Sequence, residues 1–201
     1  MTAAPDAALL RASGSPTPWL AGAGLIALFA VTLLLMGRPP ICPCGTIELW
    51  HGAANDSGTS QHLSDWYTPS HIIHGFIFYG VAALIFRRLK IPLPFAWALV
   101  AAIAVEGAWE VLENSPLVIE RYRANTSSDA YAGDSVLNSV SDILAMVLGF
   151  LFARKAPWPL TVALALAMEL TTLILIRDNL TLNVLMILYP LEAVKDWQTG
   201  G

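Results

Sequence analysis

Charged side chains are scarce in this chain. Only 13% of its 201 residues are Asp, Glu, Lys or Arg, whereas 56% are hydrophobic. A soluble domain of ordinary composition carries about 25% charged residues, so this composition indicates a polytopic membrane protein. The formal net charge is −4 and the chain lacks any long basic run. These two features argue against a nucleic-acid partner.

Cysteine is nearly absent, because Cys42 and Cys44 are the two cysteines of the chain. Two cysteines exclude a disulfide scaffold. One residue separates them, and three interpretations stay open: a tight disulfide that orders a loop, a metal anchor, or a redox pair. The chain also lacks a small-residue cleavage site after its first apolar run, where Gly37-Arg38-Pro39-Pro40 follows. We therefore predict that this run is an uncleaved transmembrane helix.

Long apolar runs are what the chain does contain. A helix needs about 20 apolar residues to cross a hydrocarbon core ~30 Å thick. Five runs approach this length, at about 19–36, 70–86, 93–112, 136–153 and 159–176. A shorter run at 180–189 predicts an interfacial or re-entrant helix. The predicted fold is all-α, a polytopic membrane bundle of five transmembrane helices plus this C-terminal helix.

The distribution of basic residues predicts the orientation of the bundle. Two short turns, at 87–90 and 154–155, carry basic residues and no acidic ones. The positive-inside rule places both turns in the cytoplasm. The N-terminus is then cytoplasmic, the C-terminus periplasmic, and the loops at about 38–69 and 114–133 periplasmic, in a bacterial inner membrane. Residues 1–17 are expected to be a disordered cytoplasmic tail, and residues 18–201 a single integral membrane domain.

Two of the apolar segments carry stripes of polar side chains at helical spacing. The stripes consist of Glu106, Glu110 and Glu113 in one segment and of Asp134, Asn138 and Asp142 in the other. Spacings of three and four residues place each stripe on one face of its helix. An ionisable group in a membrane segment costs roughly 2.5–3.5 kcal/mol on insertion scales. Such groups therefore predict a functional site.

Helix depth indicates that these stripes meet other polar residues in one layer. With a rise of ~1.5 Å per residue, Glu106 and Asp142 each lie ~12 Å inside the outer end of their helix. His71 and His74 share one face at the outer start of the second run. Glu169, in the fifth run, reaches a similar depth. We expect an outward-opening pocket that collects these side chains.

Imidazole and carboxylate groups together suit a divalent metal such as Zn, Mn or Fe, with an open position for water. The lead hypothesis is a metal-assisted enzyme that acts on a lipid or lipid-linked envelope substrate at the outer leaflet. Its expected metal ligands are His71, His74, Glu110 and Asp142, its acid or base is Glu106 or Glu113, and its anion clamp is Arg121 or Arg123.

Other functions fit the same residues. The buried acids could pair structurally across helices in a non-enzymatic membrane protein, such as a subunit of a larger complex or a homo-oligomer. Chains of Glu, Asp and His also form proton or ion carriers. A thiol-redox protein built on Cys42 and Cys44 is a further alternative. Membrane lipids are expected partners in every case.

Several segments resemble an uncharacterised family of bacterial integral membrane proteins that is known as a domain of unknown function. They are ICPCG at 41–45, SQH at 60–62, DWYTPSHIIHG at 65–75, EGAWEVLENSP at 106–116 and GDSVLN at 133–138. The resemblance implies a multi-pass inner-membrane protein and no established activity, substrate or cofactor. The layout of a Glu-rich helix, an Arg-bearing loop and residues 141–149 is also similar to VanZ-like membrane proteins. This chain has Trp109-Glu110 in place of the Glu-Gln pair expected there.

Overall fold

The structure, a computed structural model, describes residues 15–126 and 130–200. Within these ranges the chain forms eight α-helices and no β-strand. The helices are α1 (Thr17–Leu35), α2 (Thr68–Leu89), α3 (Phe95–Glu113), α4 (Pro116–Asn125), α5 (Val136–Lys155), α6 (Trp158–Ile176), α7 (Leu180–Leu188) and α8 (Glu192–Thr199). Residues 1–14 of the predicted N-terminal tail lie outside the described residues. Its last predicted residue, Thr17, is already the first residue of α1.

Five helices, α1, α2, α3, α5 and α6, are long and apolar enough to cross a membrane. The prediction of an all-α membrane bundle with five such helices is therefore confirmed. After α6 the chain forms two short helices, whereas the sequence predicted a single C-terminal helix. Pro190 lies between them, and proline cannot continue a helix because it has no amide hydrogen.

The segment that was expected to be a loop at 114–133 contains a helix, α4. Pro116 occupies its first turn, where proline is favoured because the amide hydrogen would be unpaired in any case. The helix is short, polar and largely exposed, with Val118 and Tyr122 as its buried residues. A segment without a continuous apolar face gives little periodic signal, which explains why its sequence suggested a loop.

Helix α5 lies at the centre of the bundle. It has more buried residues than any other helix described, and its most extensive contacts are with α2. The apolar core is formed by α3 and α5, and its buried members are Leu99, Ala102, Ile103, Ile143, Met146 and Phe150. By contrast, Thr172 is the buried residue of α6, so the apolar surface of α6 is available to lipid.

Two glycines allow α2 and α5 to approach each other closely. A Cβ atom on Gly75 would lie 2.1 Å from a main-chain oxygen of α5, and one on Gly149 would lie 2.2 Å from a main-chain oxygen of α2. Small residues commonly permit such contacts between membrane helices. His71 is one turn from Gly75, and Asp142 is two turns from Gly149. The crossing therefore brings these two side chains face to face.

Residues 36–67 cover the end of the bundle at which α2 begins, and we call this end the loop end. Cys42 and Cys44 form a disulfide there. The amide groups of Val136 and Leu137, at the start of α5, donate to the carbonyls of Pro39 at 2.8 Å and Pro40 at 3.1 Å. The first turn of a helix has amide groups with no partner inside the helix. The covering segment supplies those partners and is thereby anchored to α5.

Candidate functional site

Four ionisable side chains from three helices meet in the bundle interior near the loop end. His71 belongs to α2, Glu106 and Glu110 to α3, and Asp142 to α5. Each residue is at most 7% exposed, and both glutamates are fully buried. Glu106 and Glu110 are one turn apart, so the helical spacing that indicated a stripe also places both carboxylates beside His71.

Glu106 holds both histidines of α2. Its Oε1 atom lies 2.7 Å from Nδ1 of His71 and 3.0 Å from Nδ1 of His74. Each Nδ1 atom donates to this carboxylate if the ring carries its proton there. The carboxylate thereby sets the orientation of both rings and leaves Nε2 of each for another partner.

Glu110 and Asp142 present buried oxygens without hydrogen bonds. Both carboxylate oxygens of Glu110 and Oδ1 of Asp142 have no hydrogen-bond partner among the residues that the structure describes. His71 lies between the two groups, with Nδ1 at 3.6 Å from Glu110 Oε1 and Nε2 at 3.7 Å from Asp142 Oδ2. Buried charged groups require compensation. One ligand atom from each of these three residues lies within 4.8 Å of the other two, so one cation could bind all three.

A second polar group adjoins the cluster on its loop side. Asp134 accepts a hydrogen bond from the Tyr131 hydroxyl at 2.8 Å and one from the Asn114 side chain at 2.7 Å. Burial nevertheless raises the pKa of Asp134 above its ordinary value. The side-chain amide of Asn138 donates a hydrogen bond to the main-chain carbonyl of His62 at 2.9 Å. These contacts join the covering segment and the loop before α5 to the site.

A cavity of about 150 Å³ lies between the cluster and the loop end. His71, His74 and Asp142 form part of its wall. The remaining lining combines polar, acidic, aromatic and aliphatic residues, namely Ala54, Asn55, Asp56, Thr59, Ser60, Tyr67, Ser70, Trp109, Glu113, Tyr122, Ala130, Tyr131, Asp134, Asn138, Leu180, Asn183 and Val184. A ligand in this cavity would reach the histidines and Asp142 directly.

The structure brings most of the predicted site residues together. His71, His74, Glu113, Asp134, Asn138 and Asp142 line the cavity, and Glu106 and Glu110 contact His71. Asn114, which the stripe pattern did not include, is 3% exposed and holds Asp134. It lies four residues after Glu110, so the helical spacing already contained a signal for it.

Three other predicted residues do not line the cavity. Arg121 donates to the carbonyls of Ile187 and Leu188 at the end of α7. Arg123 donates to the carbonyl of Tyr131. Glu169 accepts from the amide of Leu180 at 2.9 Å, so its carboxylate caps the start of α7.

The disulfide is also separate from this cluster. Cys42, Cys44 and His62 have ligand atoms close to one another, but neither cysteine belongs to a group of close ligand atoms with His71. His62 is 2% exposed and accepts from the amide of Glu48. The disulfide therefore belongs to the covering segment, residues 36–67, and not to the buried cluster.

Comparisons with known proteins concern nearly the whole chain. A family model described as "Protein of unknown function (DUF2585)" matches residues 33–200. A "UPF0314 protein" of Sphingopyxis alaskensis is 60% identical over 187 residues, which cover 93% of this chain and 97% of the relative. Similar proteins of Novosphingobium aromaticivorans and Paracoccus denitrificans are 54% and 55% identical, each over 183 residues. These matches cover 90% and 91% of this chain and 92% and 93% of the relatives. No solved structure matches the chain. The similarity to VanZ-like proteins is not tested by these matches and stays a prediction.

Proposed function

We propose that this chain, which belongs to the DUF2585 family of unknown function, binds a divalent metal ion in its buried cluster and acts as a metal-assisted enzyme on a lipid or lipid-linked envelope substrate. The observation that carries the proposal is a pair of buried carboxylates beside His71, in which both oxygens of Glu110 and Oδ1 of Asp142 lack hydrogen bonds among the described residues. A bound cation would satisfy these oxygens where no described protein group does.

The ligands we propose are His71, Glu110 and Asp142. One imidazole and two carboxylates suit Zn, Mn or Fe and leave positions open for water and substrate. Glu106 then has a different role from the acid or base that the sequence suggested. A carboxylate that binds the far nitrogen of a metal-bound histidine fixes the ring and raises its basicity, and Glu106 makes this contact with His71.

Glu113 is the proposed acid–base group because it lines the cavity and is only half-buried. A divalent ion held by His71, Glu110 and Asp142 would activate a water molecule and polarise the phosphoryl or carbonyl oxygen of an ester. Glu113 would take the proton from the attacking water and deliver it to the leaving oxygen as the ester bond breaks.

The position of the cluster disfavours an ion or proton carrier. Beyond Glu106 the buried core consists of apolar side chains, including Ile103, Met146 and Phe150, against which the partly buried Tyr79 packs. A conduction path needs polar groups or water along the whole membrane. Among the residues that the structure describes, the buried acids and histidines occur on the loop side alone, as expected for a site that is open to one face.

The proposed location is the outer side of a bacterial inner membrane, with a cytoplasmic N-terminus. Arg87, Arg88, Arg154 and Lys155 occupy the ends of α2 and α5 away from the loop end, which supports this orientation through the positive-inside rule. The Cys42–Cys44 disulfide at the loop end is compatible with an oxidising compartment.

Cysteine labelling in intact cells tests this orientation. A cysteine that replaces exposed Ser57 should react with a membrane-impermeant maleimide, and one that replaces Lys155 should react only after lysis. The background is the variant in which Cys42 and Cys44 are both serine. The reverse labelling pattern would overturn the proposed orientation.

Elemental analysis of the purified full-length protein tests the metal centre. We expect near-stoichiometric Zn, Mn or Fe in the wild type, and a loss of about tenfold or more in the Glu110→Gln, Asp142→Asn double variant. Glu169→Gln is the matched control, since it changes a glutamate of an apolar helix outside the cluster. Gel filtration and circular dichroism confirm that each variant is folded.

Two results would contradict the proposal: a wild type that binds no metal after incubation with each ion, or a double variant that keeps its metal. Either result would favour structural pairing of the acids in a non-enzymatic membrane protein or a subunit of a complex. If the metal is present, hydrolysis of envelope lipids by the wild type and by Glu113→Gln tests the enzymatic step.

A further inference from the structure

The cavity wall carries an excess of acidic groups. Four carboxyl side chains line it, those of Glu113, Asp134 and Asp142 and that of Asp56, which pairs with His51 at 2.9 Å. No lysine or arginine lines it among residues 15–126 and 130–200. The two arginines that could have bound an anion, Arg121 and Arg123, donate to main-chain carbonyls instead. The wall therefore disfavours an anionic group and favours a cationic one.

A metal ion would not remove this excess. Glu106 and Glu110 lie directly behind the wall and add two carboxyl groups to the four that line it. Among the described residues, the basic side chains in contact with these carboxyl groups are those of His51, His71 and His74. A divalent ion coordinated by His71, Glu110 and Asp142 would leave Glu113 and Asp134 of the wall uncoordinated and facing the cavity. These acceptor groups suit a cationic ligand.

Aromatic side chains border the same space. Tyr67, Trp109, Tyr122 and Tyr131 line the cavity, and the rings of Tyr122 and Tyr131 meet edge to face with centroids 5.3 Å apart. Aromatic rings attract organic cations through their negative faces, and clusters of such rings recognise quaternary ammonium groups. Hydrated inorganic cations gain less from such a wall. The combination of acids and aromatics thus favours an organic ammonium group.

The size of the cavity limits what can enter. At about 150 Å³, it matches cavities that accept a benzene-sized molecule. An ammonium head group fits this limit, whereas an acyl chain of membrane length does not. Leu180 and Val184 of α7 also line the cavity and offer an apolar edge at which the rest of an amphiphilic ligand could leave.

We propose that this cavity binds an organic ammonium group, and that the substrate of the proposed metal centre carries such a group beside the ester that is cleaved. The second half of this proposal rests on the proposed function. Binding of the ammonium group does not, because the acidic and aromatic lining belongs to the protein itself.

Calorimetry on the full-length protein tests the proposal. The protein is placed in phosphatidylglycerol nanodiscs, treated with a chelator, and held in amine-free buffer. Choline and ethanolamine are compared with 3,3-dimethylbutan-1-ol, an uncharged analogue of choline, and with inorganic phosphate. We expect choline to bind roughly tenfold more tightly than the uncharged analogue. Equal affinity for the two, preferential binding of phosphate, or no binding of either amine would overturn the proposal.

Variants show whether binding occurs at this wall. Glu113→Gln and Trp109→Leu should each weaken choline binding several-fold, because one removes a carboxyl group from the wall and the other an aromatic ring. Glu169→Gln should bind as the wild type does. Unchanged affinity in both wall variants would overturn the assignment to this cavity. Whether the protein binds a metal is tested separately, by elemental analysis of protein that has not been treated with a chelator.

A second nanodisc lipid distinguishes an ammonium group on a lipid head group from one on a free amine. If a lipid head group is the natural ligand, phosphatidylethanolamine nanodiscs should suppress choline binding relative to phosphatidylglycerol nanodiscs. If a free amine is the ligand, the two lipids should give the same choline affinity. Both results support ammonium recognition and identify its source.

Discussion

Asn114 and Asp134 bind each other through two hydrogen bonds that join the end of α3 to the loop before α5. The Asn114 side-chain amide donates to Asp134 Oδ2 at 2.7 Å, and the Asp134 main-chain amide donates to Asn114 Oδ1 at 2.7 Å. Both residues are buried. This pair fixes an acidic side chain in the cavity wall and connects two helices that contribute to the proposed metal site.

Replacement of Asn114 by alanine should destabilise the protein. The change leaves a buried carboxylate oxygen and a buried main-chain amide without their partner, and each unsatisfied group costs about 1–3 kcal/mol. We expect the free energy of unfolding to fall by about 2–4 kcal/mol, measured by denaturation in detergent followed by circular dichroism. Asn55→Ala is the control, because Asn55 is exposed. A loss equal to that of the control would contradict the role of the pair.

Alanine at Gly75 or Gly149 should separate α2 from α5. The added methyl group would lie 2.1 or 2.2 Å from a main-chain oxygen of the other helix, and a backbone cannot yield as a flexible side chain does. We expect a loss of stability of at least about 2 kcal/mol, together with loss of bound metal. Gly80→Ala on the same helix is the control, since no atom lies within 4 Å of its added Cβ. Equal thermal stability of Gly75→Ala and Gly80→Ala would show that the close crossing is absent.

Glu106→Gln should weaken metal binding without abolishing it. Glutamine retains the size of the side chain but accepts only through one oxygen, so it orients His71 and His74 less well than the carboxylate does. We expect the metal affinity to fall about 10- to 100-fold, as measured by competition with a chromogenic chelator. Glu169→Gln should retain the wild-type affinity. If Glu106→Gln also retained it, Glu106 would not be a partner of a metal-bound histidine.

Asp178 should make the stability of the C-terminal region depend on pH. This residue is 1% exposed, and it accepts hydrogen bonds from Tyr67 in front of α2 and from Gln198 in α8. Burial raises the pKa of Asp178 to about 6 from an ordinary value of 3.8, and hydrogen bonds from its neighbours only partly oppose this. The folded protein therefore holds this proton more tightly than the unfolded chain does.

Lowering the pH through about 6 should thus stabilise the wild type relative to Asp178→Asn. The expected gain between pH 7 and pH 5 is about 1 kcal/mol. The difference between the two unfolding curves measures it and cancels the titration of other groups. A difference that stays constant between these pH values, or that grows toward pH 7, would contradict the raised pKa.

The sequence alone determined the architecture and the chemical character of the site. Five apolar runs were sufficient to predict five membrane-length helices, because the thickness of a bilayer imposes a length that few soluble helices need. The spacing within each stripe, Glu106, Glu110 and Glu113 in one and Asp134, Asn138 and Asp142 in the other, was sufficient to predict that its members share one helix face, because side-chain direction in a helix follows from its period. Both properties are local and can be read from a short window of residues.

Only the tertiary structure decided which groups meet. The contact of Glu106 with two histidines depends on how α3 packs against α2. The approach of His71 to Asp142 depends on how closely α2 approaches α5, which Gly75 and Gly149 permit. The partners of Glu169 and the two arginines were decided in the same way, because long side chains reach whichever main-chain groups the packing leaves exposed nearby. Such choices depend on residues far apart in the chain, and no local spacing records them.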